Sequence, residues 1–294
     1  MKEKVIYALG FFDGVHLGHQ ALLSACRELA QRHGCKAGAV TFTSHPDALV
    51  TGKTPPLIDT DLQRQQLLSA YGTKNILALS FDEALKNTPW EDFLEFLLQK
   101  GAAGFVCGED FRFGHRGEGT AQKLADFCRK KGLPWAVVPA QTLDGIRISS
   151  THIRSLIEAG DMETAGRFLG HAHALTGVVR HGRELGRTIG IPTANLTIPE
   201  GVIVPKFGVY ATQILLNGSC YNAVTNVGTR PTVDGNGVTV ESWLLDYSGD
   251  LYGKHLTVFF HQFLRPEQKF PRLEDLQAQI RKDAEKVREI FEKT

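Results

Sequence analysis

The chain has 294 residues, 42% of them hydrophobic and 22% charged, with 33 Lys and Arg against 32 Asp and Glu for a formal net charge of +1. That length suits two cores better than one. The charge balance leaves no whole-chain field to attract nucleic acid or a membrane surface, so an anionic ligand must be held by a local site. The five cysteines, Cys26, Cys35, Cys107, Cys128 and Cys220, are odd in number and form no C-x-x-C pair, which predicts reduced and mostly buried thiols. Residues 1–20 lack the pattern of a signal peptide, and no apolar run reaches the ~18 residues of a membrane span, so the expected compartment is cytoplasmic.

The first half alternates short apolar runs with helical periodicity. Strands are expected at Val5 to Leu9, Ala37 to Phe42, Asn75 to Leu79, Gly104 to Cys107 and Trp135 to Val138. Helices are expected from about Gln20 to His33, over Trp90 to Gln99 and near Ala121 to Lys131. Strand and helix taking turns implies parallel strands joined by crossover helices, a doubly wound α/β domain. Two short helices follow, Ser150 to Glu158 and Met162 to Leu169. The pattern changes between Ala172 and Gly177, and the domains are drawn as 1–171 and 172–294. Beyond lie β-like runs broken by Gly and Pro: Gly177 to Arg180, Gly208 to Leu216, Tyr221 to Val227, Val238 to Leu245 and Leu256 to Phe263. They predict a small antiparallel barrel, closed by a terminal helix carrying Leu273, Leu276, Ile280, Val287 and Ile290 at helical spacing.

The segment from Gly10 to His19 runs from the first strand into the first helix, where unpaired backbone N–H groups and the helix dipole attract phosphate. Gly10, Gly14 and Gly18 let the backbone, with Phe11 between them, approach a nucleotide closely. His16 and His19, three residues apart, can face one anion. Next to a triphosphate an imidazole is expected to become cationic and to stabilise charge developing at the α-phosphorus. Two histidines at this spacing are also compatible with a surface metal pair completed by Asp13, or with solvated side chains. The strand, Gly-rich turn and helix around them favour the nucleotide site, and no Walker A or G-x-G-x-x-G sequence competes.

The G-x-F-D-G-x-H-x-G-H segment resembles the signature of the bacterial bifunctional riboflavin kinase/FMN adenylyltransferase family. Val106 to Gly114 is similar to its second adenylyltransferase motif, Ile148 to Arg154 to its I-S-S-T-x-I-R motif, and Gly190 to Asn195 to the P-T-A-N motif of its kinase module. The resemblance covers nearly the whole chain. It implies a Rossmann-like nucleotidyltransferase domain followed by a riboflavin kinase barrel, with ATP as co-substrate, Mg2+ as cofactor, riboflavin and FMN as partners, and FMN and FAD as products. Neither nucleic acid nor a membrane is an expected partner.

Ser149, Ser150 and Thr151 open a helix, so hydroxyls and free amides converge on an anion, and Arg154 one turn on can offer a bidentate fork; alone, such a triplet reads as a cap. The resemblance puts the leaving pyrophosphate between the two helix starts. It also sets the Gly108-to-Phe113 loop beside adenine and flavin, with Asp110 on the nucleotide and Phe111 and Phe113 on the flavin. Read alone, the two rings are a core-facing pair.

A kinase acting on a small alcohol needs a phosphate loop, a magnesium ion on oxygen ligands and a base. Gly182, Gly186 and Arg187 supply a backbone cradle. Thr193 and Asn195, two apart on an extended segment, can share a cation with the nucleotide, although P-T-A-N alone is compatible with an ordinary turn. Glu241, between Val240 and Trp243 in an otherwise apolar run, is the candidate base, because desolvation would raise its pKa; the alternative is a solvent-facing carboxylate. The resemblance places Glu241 at the kinase's essential glutamate. Leu264-Arg265 and Lys269-Phe270, before the terminal helix, are candidate flavin-side contacts, and the segments 226–232 and 250–254 also resemble kinase sequence. The rival readings are a nucleotidyltransferase with another phosphorylated acceptor and a flavin-binding regulator without turnover.

Overall fold

The computed structural model describes residues 4–180, 191–232 and 235–292. The chain divides into two compact units, Met1–Ser150 and Thr151–Thr294.

In the first unit, strands β1 (Val5–Leu9), β2 (Lys36–Phe42), β3 (Asn75–Leu79), β4 (Ala102–Gly108) and β5 (Trp135–Val138) form one sheet in the order β3-β2-β1-β4-β5, with every pairing parallel. Central β1 is buried along its whole length, because helices cover both faces of the sheet. One face packs on helix α1 (Leu17–Arg32) through Leu23, Cys26 and Leu29, the other on Phe93, Leu94, Leu97, Leu124 and Phe127. Those residues belong to helices α3 (Trp90–Gln99) and α4 (Ala121–Lys131), both at the expected positions.

Two differences from the sequence-based expectation have clear causes. Helix α1 begins three residues before Gln20 because the His16 ring caps it: Nδ1 accepts the His19 amide at 3.3 Å. Helix α2 (Asp61–Ala70) was not expected, since its pattern is inverted, with Leu62 65% exposed and Arg64 fully buried. A capping box sets its start: Thr60 Oγ1 accepts the Gln63 amide and Gln63 Oε1 accepts the Thr60 amide.

The second unit begins at Thr151, one residue into helix α5 (Ser150–Ala159), and continues with α6 (Met162–Leu169). The Ile157 carbonyl accepts the Lys206 amide at 3.3 Å, which ties α5 to the β-rich part. Six strands follow: β6 (His173–Val178), β7 (Ala194–Thr197), β8 (Gly208–Leu216), β9 (Ser219–Thr232), β10 (Gly235–Leu244) and β11 (His255–Arg265). They form an antiparallel sheet in the order β6-β11-β8-β9-β10-β7. A bridge between Arg180 and Asn195 joins the two edge strands and nearly closes a barrel. Strand β6 begins four residues before the expected Gly177, since His173 and Leu175 already face the interior.

Alternation along β10 puts Val240, Ser242 and Leu244 inside. There Thr212, Thr225 and Ser242, all fully buried, form a ladder of hydroxyls with oxygen separations of 2.7 and 2.8 Å, and Thr212 also donates to the Ala223 carbonyl at 3.1 Å. Helix α7 (Leu273–Glu292) covers the outer face through Ala284 and Val287. It is fixed there by a bidentate pair in which Arg265 donates to the buried Asp283 at 2.8 to 3.2 Å.

Candidate functional site

In the first unit, the turn between β1 and α1 is wound tightly. Phe12 (φ 63°), Gly14 (φ 80°) and Val15 (φ 34°) all lie in the left-handed region, which is costly for a ring and for a β-branched side chain. The winding turns the helix start toward a cavity of about 490 Å³ at the carboxyl ends of the strands, where ligands bind in open α/β sheets. Gly10, Phe11, His16, Gly18, His19, Gly108, Asp110, Phe111, Ser149 and Ser150 all line it. Eight of these sequence-picked residues come from three separate motifs, 10–19, 108–111 and 149–150, beyond the two histidines themselves.

The two imidazoles stack, with ring centres 3.6 Å apart and planes 13° from parallel. His19 Nδ1 is buried with no hydrogen-bond partner. Burial, and then the neighbouring His16, holds the His19 pKa well below the ordinary imidazole value. Gly18 leaves room for this pair, since a Cβ there would come within 3.2 Å of the His16 ring. Ser150, the last residue of the first unit, spends its hydroxyl on the Asp13 carbonyl of the phosphate turn at 2.9 Å. Gly14 lies within the turn and not on the cavity wall.

Phe111 reaches the cavity, whereas Phe113 is 7% exposed and packs behind it among Trp90 and Phe93. Thr151 and Arg154 lie on α5, in the second compact unit. Arg147, which sequence reasoning passed over although it directly precedes the Ile148-Ser149-Ser150 motif, also lines the cavity and forms an ion pair with Asp110.

In the second unit, a cavity of about 360 Å³ is lined by Thr193, Asn195, Tyr247, Asp250 and Tyr252. Another, of about 290 Å³, lies between the outer barrel face and α7 and is lined by Glu241, Trp243, Arg265 and Phe270. Thr193 lines both. Glu241 sits opposite Asn195 on one neighbouring strand and Asn226 on the other. It is partly exposed, and the strand around it alternates rather than being apolar throughout, so Glu241 belongs to a polar outer row facing the cavity. Arg265 faces the same cavity with its guanidinium engaged by Asp283. Gly182, Gly186 and Arg187 lie outside the described residues.

A family model described as FAD synthetase matches residues 1–152, and one described as riboflavin kinase matches 169–291. Proteins named bifunctional riboflavin kinase/FMN adenylyltransferase are similar along nearly the whole chain. That of Pseudomonas fluorescens is 37% identical over 97% of this chain and 92% of its own length, and that of Listeria monocytogenes 32% over 98% and 93%. The chain belongs to the bifunctional riboflavin kinase/FMN adenylyltransferase family. A solved structure titled as a macrolide-efflux protein from Streptococcus pneumoniae shares this family member's fold, with a TM-score of 0.89 and 29% identity over 98% of this chain and 95% of its own. Among the described residues no helix is long and apolar enough to cross a membrane. All five cysteines of this family member are free, with Cys26, Cys107 and Cys128 buried.

Proposed function

We propose that the chain makes FAD in two steps: residues 172–294 phosphorylate riboflavin with Mg-ATP, and residues 1–171 join the resulting FMN to AMP, in the cytoplasm. One observation carries the reading. Thr193 belongs to the walls of two cavities, one shared with Asn195 and the other with Glu241, so that a phosphate donor and an alcohol acceptor can meet at one residue.

In the first step the terminal hydroxyl oxygen of riboflavin attacks the γ-phosphorus of ATP, its proton passes to Glu241, and ADP leaves. The donor set suits a hard cation: Thr193 offers a hydroxyl and Asn195 an amide oxygen, with the amide nitrogen already donating to the Thr193 carbonyl at 3.3 Å. Bound there with the nucleotide phosphates, magnesium would offset charge on the transferring phosphoryl group. Gly182, Gly186 and Arg187 are the proposed phosphate cradle. Arg265 shapes the flavin side while anchored to Asp283.

In the second step a phosphate oxygen of FMN attacks the α-phosphorus of ATP in line, and pyrophosphate leaves. His16 and His19 stabilise the developing charge, together with Arg154 and the hydroxyls and amides of Ser149, Ser150 and Thr151. A polyanion at the stacked rings opposes the burial that keeps His19 neutral, so ligand binding itself supplies the charge. Gly10, Phe11, Gly14, Gly18, Gly108 and Asp110 shape the nucleotide pocket, with Phe111 and Phe113 on the flavin side.

Chromatography of riboflavin, FMN and FAD in reactions with ATP and magnesium tests both steps. Wild type should form FMN and then FAD. His16→Ala should stop at FMN, and Glu241→Ala should leave riboflavin unchanged yet still convert supplied FMN. A wild type that makes neither product refutes the assignment.

A further inference from the structure

Behind the phosphate turn, away from the cavity, lies a buried charged cluster that the two reactions do not use. Arg64 of α2 is 0% exposed. One guanidinium nitrogen donates to the Phe42 carbonyl and to Asp61, both at 2.7 Å, while Nε and Nη1 have no hydrogen-bond partner. The guanidinium lies over the Phe11 ring, 4.2 Å from its centre, and His45 meets the same ring edge-on at 4.6 Å. Asp13, 2% exposed, accepts the Ile58 and Asp59 amides at 2.9 and 3.4 Å. Arg64 is attracted to Asp61 and Asp13.

Desolvating an arginine with two nitrogens unpaired is costly, and the core offers apolar residues that would fill the place more cheaply. What Arg64 gains is control of the turn. Three of the four residues Phe12 to Val15 hold left-handed backbone, a conformation that persists only where the surroundings over-determine it. Arg64 acts on the turn at two points, on the ring of Phe11 just before the left-handed residues and through its charge on Asp13 among them. The next residue after the strain is His16.

We propose that Arg64 is a positioning residue for adenylyl transfer, acting through Phe11 and Asp13 to hold His16 and His19 where charge develops. The proposal rests on the adenylyltransferase reading of the first site. It makes Arg64 act on turnover more than on ATP affinity, because ATP also has the backbone amides and the Ser149–Ser150 side of the cavity to bind. It also requires the cation's planar shape: lysine keeps the charge but not the flat face over Phe11.

The test is steady-state FMN-to-FAD kinetics of the full chain for wild type, Arg64→Met and Arg64→Lys, with riboflavin-to-FMN turnover of the same samples as an internal control. Arg64→Met should lower kcat for FAD formation by ~10- to 100-fold and move the KM for ATP by less than ~3-fold. Kinase turnover should stay at the wild-type value, and Arg64→Lys should recover part of kcat. Wild-type kcat in Arg64→Met overturns the proposal, as does an unchanged kcat with a raised KM. If thermal unfolding shows that Arg64→Met has lost its first unit, Arg64→Lys decides. A folded lysine variant with reduced kcat and unchanged KM supports the role, and one with wild-type kcat refutes it. A wild type that forms no FAD from FMN refutes the adenylyltransferase reading itself, an outcome distinct from any variant result.

Discussion

His173 should make the barrel sensitive to mild acid. The side chain is 1% exposed, neither ring nitrogen has a hydrogen-bond partner, and Phe260 packs against it at 5.8 Å. Burial, and then the charge of nearby His171, lowers its pKa to about 3. The unfolded chain takes up the proton at about pH 6.5, so below that value it binds more protons than the folded one and stability falls as pH falls. The loss starts at the unfolded pKa and continues down to the folded one. At pH 5 it amounts to ~2 kcal/mol relative to neutral pH. The measurement is urea unfolding at pH 7.5 and pH 5, followed by Trp243 fluorescence in a Trp90→Phe, Trp135→Phe background, where Trp243 is the remaining indole of three. His173→Phe keeps a flat ring and removes the titration, so the pH-dependent loss should be smaller in that variant by ~2 kcal/mol, with other groups cancelling in the comparison. Equal losses in both chains would show that His173 is either protonated in the fold or reached by water, and would refute the reasoning.

Asp59 carries the opposite sign. Burial, and then Asp13, raises its pKa to about 7, so the fold keeps a proton that the unfolded chain releases near pH 4, and stability is lost as pH rises toward 7. Asp59→Asn should therefore stabilise the first unit at pH 8 relative to pH 4 by up to ~4 kcal/mol, read from melting curves at the two pH values. Arg265→Met strands the Asp283 carboxylate, 1% exposed, beside the Gln279 amide that donates to it at 3.0 Å. The barrel should lose ~2–4 kcal/mol and the KM for riboflavin should rise, while FMN adenylylation keeps its rate.

The sheet of the first unit was legible because its strands are apolar on both faces and its helices, apart from α2, show regular stripes. Helix α2 escaped because its face is inverted, yet its Thr60-x-x-Gln63 capping box was there to be read. The same inversion hid Arg64, since a buried arginine leaves no mark in a hydropathy pattern. Strand β7 was read only as an extended segment, being four residues long and held by its partner β10 and the Arg180 bridge. Most of the first cavity's wall was found because motifs far apart in sequence meet at the strand ends. The lowered pKa of His19 was not, because it depends on burial that spacing does not report. Glu241 was read from an apparently apolar run, whereas the two-residue alternation of β10 sets it on the outer face.

The hydroxyl ladder inside the barrel has a direction. Thr212 has one proton and gives it to the Ala223 carbonyl, so its oxygen must receive from Thr225, and Thr225 in turn must receive from Ser242. Order therefore runs one way across three strands, and its two ends are not equivalent. Ser242→Ala removes the first donor and leaves only a lone pair unanswered on Thr225. Thr212→Val removes the last acceptor and leaves the Thr225–Ser242 pair with two protons for one bond, so that one buried donor goes unanswered, a difference of ~1–3 kcal/mol between two substitutions that look alike. The barrel's interior is thus polarised from β10 toward β8, which gives the nearly closed sheet an internal sense of orientation.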